Sequence, residues 1–248
     1  MNAPRARLGA YAWWQLRDYA SGPGLGTLVI TLLVGVAPII AVMRAVATGT
    51  GGEPPDELIR PLFNSFVQFL ALVGPIMAVG SMVSADRAPG LTRFLFAKPV
   101  GAPQYYLLMW SVRGAGLLAI TAVLSLAIHL LVAPVAWGGA VLGIALTWLH
   151  IGGVGFLASV LVPRDSVYVI GLYATTTLLA QFQRIAPQWE WVDPLLVVLP
   201  PMHKLSDLRV ALMDGTAPAW NDLWHVMGWG GACLALGAVL IRRFPLVR

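Results

Sequence analysis

Apolar positions along this chain form long unbroken runs rather than the alternating or one-faced patterns of a soluble fold. Six such runs can be read, at 25–47, 61–83, 113–135, 139–162, 166–182 and 223–241. Each approaches the roughly 20 apolar residues that a helix needs to cross a hydrocarbon core about 30 Å thick. Only helices and closed barrels satisfy their backbone groups in lipid. The pattern therefore predicts an all-α polytopic integral membrane protein with six transmembrane helices. The third run starts at Arg113 or Gly114, and the apolar residues 105–110 leave an earlier start open. Pro38 and Pro75 predict kinks in the first and second runs.

Two regions outside the runs carry their own pattern. Leu8, Tyr11, Ala12, Leu16 and Tyr19 fall on one helical face and Arg7, Arg17 and Asp18 on another, with Trp13 and Trp14 beside them. This predicts an interfacial helix over residues 1–24, with a frayed tail as the alternative. Residues 184–222 are too long for a plain loop. Leu195 to Pro201 is apolar but too short to span, and Met202, Leu205, Leu208 and Leu212 recur at helical spacing. Re-entrant or interfacial helices before the last span are expected there. The chain thus divides, within one transmembrane domain over 1–248, into an interfacial helix (1–24), spans one and two (25–83), a connecting segment (84–112), spans three to five (113–183), an outer segment (184–222), and span six with its tail (223–248).

Composition closes off other classes. The 248 residues are 58% hydrophobic and 11% charged, with a mean hydropathy of +0.77. Soluble domains carry about 25% charged residues, so no sizeable soluble enzyme domain is left. The formal charge of +5 lies at span ends, which reads as membrane orientation rather than nucleic-acid binding. With the N-terminus inside, 11 of the 16 basic residues fall on the inner side and 5 on the outer. Both termini are then cytoplasmic. The single cysteine, Cys233, permits no intrachain disulfide. The N-terminal residues lack the uninterrupted apolar core of a cleavable signal.

No phosphate-cradling G-x-x-x-x-G-K-[ST], H-E-x-x-H or G-x-S-x-G motif occurs, and the four histidines show no metal-ligand spacing. Asn64 and Gln68 share a face one turn apart; they serve helix packing or line a pathway. His129 and His150 lie within spans, as packed residues or functional ones. No Asp or Glu falls inside the six runs, so the carboxylate relay common in ion-coupled transport is missing. Energy for transport would have to come from another subunit.

Attention then falls on residues 84–110. Asp86, Arg87, Arg93 and Lys98 keep this stretch out of the bilayer, while Leu91, Phe94 and Leu95 give it an apolar face, and Gly90 and Pro99 bracket it. It is either a solvated basic loop or a docking helix, and two phenylalanines favour docking into a groove.

The same residues resemble the cytoplasmic signature of type-2 ABC exporter permeases. Asp86 and Arg87 match its charged cluster and Gly90 its glycine. Phe94, Leu95 and Phe96 match its apolar run, Pro99 and Val100 its ending, and Tyr106, Leu107 and Leu108 its entry into the third span. Leu91 stands where the family usually has Thr, with Thr92 next, and Arg93 where an acid is common. The resemblance implies a transport subunit, not an enzyme, of an ATP-driven exporter in a bacterial cytoplasmic (inner) membrane. Its partners would be a cytoplasmic ATP-binding cassette subunit, a second permease in a homo- or heterodimer, and membrane lipid, with no nucleic acid. This chain would hold no cofactor, ATP and Mg being bound by the partner. The implied ATPase-coupling interface is Asp86, Arg87, Gly90, Leu91, Thr92, Arg93, Phe94, Leu95 and Pro99. Its rivals are an autonomous channel or ion-coupled transporter, and an intramembrane lipid-modifying enzyme built on His129 and His150.

Overall fold

The computed structural model describes residues 3–48, 56–80, 82–83, 86, 101–186, 188 and 191–243. Every regular element among them is helical: α1 (Ala3–Ser21), α2 (Pro23–Thr31), α3 (Ala37–Ala47), α4 (Asp56–Val79), α5 (Ala102–Leu131), α6 (Trp137–Thr147), α7 (Gly153–Leu161), α8 (Asp165–Ile185), α9 (Val192–Val198), α10 (Lys204–Met213) and α11 (Trp220–Arg243). Single π-turns, Leu32–Val36 and Trp148–Gly152, join α2 to α3 and α6 to α7.

Five helical stretches are long and apolar enough to cross a membrane: Pro23–Ala45, Ile59–Val79, Ala102–Leu131, Trp137–Leu161 and Trp220–Arg242. The chain is an integral membrane protein. The expected fifth run is also helical, as α8, but Thr175, Thr176, Thr177, Gln181 and Gln183 dilute its apolar character and it is not among the five. The third run begins at Ala102 rather than at 113, because nothing between Pro103 and Gly114 interrupts the helix. Near the proline where a kink was expected, the first run has a π-turn that ends two residues before Pro38. Proline lacks the N–H that would close the preceding turn, and a π-turn absorbs such a defect. It also turns Gly35 against the buried Phe66 of α4, where a β-carbon would collide with the ring.

Trp137–Leu161 is the hub. Of its most apolar window 72% is buried, against 22% for Pro23–Ala45. In lipid, apolar surface gains little by leaving its surroundings, so helices associate through close packing at small residues. Gly153 of α7 faces the backbone of Gly230 of α11, and Gly155 faces Val79. Many outward-facing side chains are apolar, among them Leu33, Ile40, Val123, Leu142, Ile170 and Leu236. That inversion suits a surface bathed in acyl chains.

Successive helices connect two ends. At one, Gly80 lies beside Ser166, and Ile241 clusters with Val83 and Tyr105. At the other, Gly139 meets Leu212 and Met213. The stretch 184–222 forms two short helices, α9 and α10, and α10 packs along α6. α1 lies against α5. Among its described side chains, Gln15 and Tyr19 are buried, and Trp13, Trp14 and Leu16 face away. Gln15 and the rings of Tyr11 and Tyr19 thus turn toward α5 from the face predicted for Tyr11 and Tyr19, while Leu16 stays outward.

Candidate functional site

At the Asp86 end, three elements meet in a polar clasp. Arg113 projects from α5, only 8% exposed. Its Nη1 donates to the Ala78 carbonyl at 2.7 Å. Ala78 lies in the last turn of α4, where carbonyls run out of intrahelical donors and the helix dipole is negative. The neighbouring carbonyls of Ile76 and Val79 are taken by Gly80 N–H and Met82 N–H. Arg113 completes that cap from a different helix. The sequence reading placed this arginine at the start of span three; it is also buried, within a helix that begins earlier, at Ala102. The apolar residues 105–110, which left an earlier helix start open, were the signal for that.

One turn and more before it, the Tyr106 hydroxyl donates to Asp86 Oδ2 at 3.1 Å. Burial pushes the Asp86 carboxyl above its ordinary range, while the Tyr106 hydroxyl and the Arg113 charge pull it back. Gln15 of α1 adds a bond from Nε2 to the Tyr105 carbonyl at 3.4 Å. Tyr11 sits edge-on to Tyr105, ring centres 6.4 Å apart, and Tyr19 covers Gly116. The chain therefore leaves this point at Asp86 and returns at Ala102, four residues before the tyrosine that holds Asp86. Of the expected coupling residues, Asp86 is in the clasp. Arg87, Gly90, Leu91, Thr92, Arg93, Phe94, Leu95 and Pro99 lie outside the described residues.

The four candidate pathway residues part company. Asn64 is half-buried and lines a polar cavity of about 420 Å³ together with Arg60, Phe63, Pro134, Val135, Ala136, Met213 and Asp214. Gln68, one turn on, is exposed, as are Arg60 and Ser65 on the same helix. His129 pins the turn after α5: Val135 N–H donates to its Nδ1 at 3.1 Å, and the Val135 carbonyl is 2.9 Å from that nitrogen. His150 is fully buried in the π-turn of the hub. Its Nδ1 is 2.9 Å from the Val226 carbonyl, which can only accept, so Nδ1 carries the proton. Its Nε2 has no hydrogen-bond partner. The two histidines thus bond different turns of the bundle, His129 at Val135 and His150 at Val226.

Two further groupings had no sequence signal. Arg209 of α10 is 5% exposed; its stem lies over Gly143 and its Nη1 donates to Thr147 Oγ1 at 3.3 Å. Its spacing among Leu205, Leu208 and Leu212 gave no hint of a buried cation. Lys204 Nζ bonds Asp222 Oδ1 at 2.6 Å and lies 3.4 Å from His225 Nδ1. His150, His203 and His225, distant in sequence, come within electrostatic reach of one another there, and burial, then the Lys204 charge, lowers the pKa of His203. Among the described residues, no three His, Cys, Asp or Glu side chains are arranged to hold a metal ion.

No family model matches this chain, and no curated protein matches it. The fold alone therefore carries the classification, as an all-helical integral membrane protein.

Proposed function

We propose that this chain is the permease subunit of an ATP-driven exporter of the type-2 ABC kind, worked by a separate cytoplasmic ATPase and paired with a second permease. In this reading α8 is span five, which brings the count to six. Its 21 residues reach about 31 Å at 1.5 Å per residue, and its polarity suits a helix bordering a pathway. Both termini face the cytoplasm, and α1 lies in the inner interface. About the last 20 residues of α5 suffice for the hydrocarbon core, so its first turns extend toward the cytoplasmic partner.

The observation that supports this most is the double tie at the base of residues 87–101. Tyr106 grips Asp86 before the segment, and Arg113 grips the end of α4 from the helix that follows it. A push on the segment is passed to α4 and α5 together, which is what a subunit with no energy source of its own requires. The exposed polar positions Ser65 and Gln68 of α4 and Thr175 and Gln181 of α8 are costly against lipid. They fit a pathway shared with the second permease.

The test replaces Phe94 and Leu95 with Asp and follows recovery of the ATPase subunit together with ATP-dependent export. Loss of both, in a chain whose thermal stability is unchanged, is the expected result. Full recovery and full export would sink the coupling assignment.

A further inference from the structure

The cavity at the Val135 end is built from three separate elements. Arg60, Phe63 and Asn64 come from the first turns of α4, Pro134, Val135 and Ala136 from the α5–α6 turn, and Met213 and Asp214 from the end of α10. Its volume of about 420 Å³ is within the range of small-molecule sites. A guanidinium and a carboxylate line the same space, yet they form no ion pair with one another. The carboxylate wall is doubled in sign: α10 ends at Met213, so the negative end of its dipole adds to Asp214. The third wall is fixed, because His129 pins Val135 through its amide.

We propose that this cavity binds the headgroup of a zwitterionic phospholipid, its phosphate on Arg60 with help from the Asn64 amide, its ammonium on Asp214. A site with separated poles of opposite sign favours a ligand that carries both. Arginine binds phosphate through paired donors, and a carboxylate accepts from an ammonium. The surroundings select a lipid over a free solute. Leu130 and Leu131, at the end of α5 just before the turn, are 70% and 80% exposed, and Trp137 just after it is 42% exposed. These offer an apolar surface for acyl chains and a ring of the kind enriched at headgroup level. Phe63, Val135 and Met213 line the cavity floor with apolar atoms that the glycerol region can cover. The proposal stands apart from the exporter reading, since it needs neither an ATPase nor a coupling segment.

The test is equilibrium binding of radiolabelled dihexanoyl phosphatidylethanolamine to the full-length protein in detergent. Saturable binding is expected, weakened about tenfold by Arg60→Ala and likewise by Asp214→Ala. The exchanged pair, Arg60→Asp with Asp214→Arg, should recover most of the loss. Arg184→Ala, which breaks an exposed ion pair elsewhere, should leave binding unchanged. Both cavity residues are exposed, so a thermal melt of each variant separates lost binding from lost fold. Equal binding of dihexanoyl phosphatidylglycerol, which has no ammonium, would overturn the proposal. Equal binding of free O-phosphoethanolamine would move the site to a soluble zwitterion and overturn the lipid assignment. Undiminished binding by the two alanine variants would overturn the site itself.

Discussion

The two ends of this bundle treat buried arginine in opposite ways. At the Asp86 end, Arg113 bonds a backbone carbonyl in the last turn of α4 that receives neither the Gly80 nor the Met82 amide, with Tyr106, Asp86 and Gln15 closing the surroundings. At the hairpin end, Arg209 bonds the Thr147 hydroxyl, whose own proton already goes to the Gly143 carbonyl at 2.8 Å, and the Arg209 Nε is left without a partner. The first arginine holds two helices in register. The second mainly covers a glycine face with its hydrocarbon stem. A buried cation is thus no single kind of feature; its role depends on whether the acceptor would be orphaned without it.

That contrast can be broken by substitution. Arg113→Met keeps much of the volume but strips the donor from Ala78, and should cost about 3 kcal/mol in detergent unfolding; a loss no greater than that of a surface substitution would remove the clasp from the account. Tyr106→Phe should cost about 1 kcal/mol and also report on Asp86. Burial raises the folded-state pKa of that carboxyl, so the folded protein holds the proton more tightly than the unfolded one. The Asp86 contribution to stability is then greatest below the ordinary carboxylate pKa and is lost as pH rises through the raised value. Removing the tyrosine donor should push that transition further up in a series of melts against pH; a downward move would contradict the hydrogen bond.

Smaller effects should come from the hairpin end. His129→Ala releases the 132–136 turn and should lower stability by up to about 1 kcal/mol, with faster amide exchange at Val135 as the specific readout. Arg209→Met should change stability by less than about 0.5 kcal/mol, since the apolar stem is retained and Thr147 stays bonded to Gly143. A cost matching that of Arg113→Met would erase the difference between the two ends and show that Arg209 meets a need the geometry does not display.

The sequence determined that the chain is helical and lives in lipid, because unbroken apolar runs of span length permit little else. It also located the short helices of 184–222, whose leucine spacing survives in α10. Other features were beyond its reach. Residues 105–112 and 113 form one helix in which Arg113 is buried because the end of α4 lies beside it, and no local pattern near Arg113 specifies Ala78. Lys204 with Asp222 joins positions 18 residues apart, Arg209 with Thr147 joins positions 62 apart, and the cavity brings Arg60 to Asp214 across most of the chain. Apolar periodicity fixes which solvent a segment prefers; which polar groups meet is decided only when the helices pack, since each cross-helix bond depends on the register and rotation of both partners.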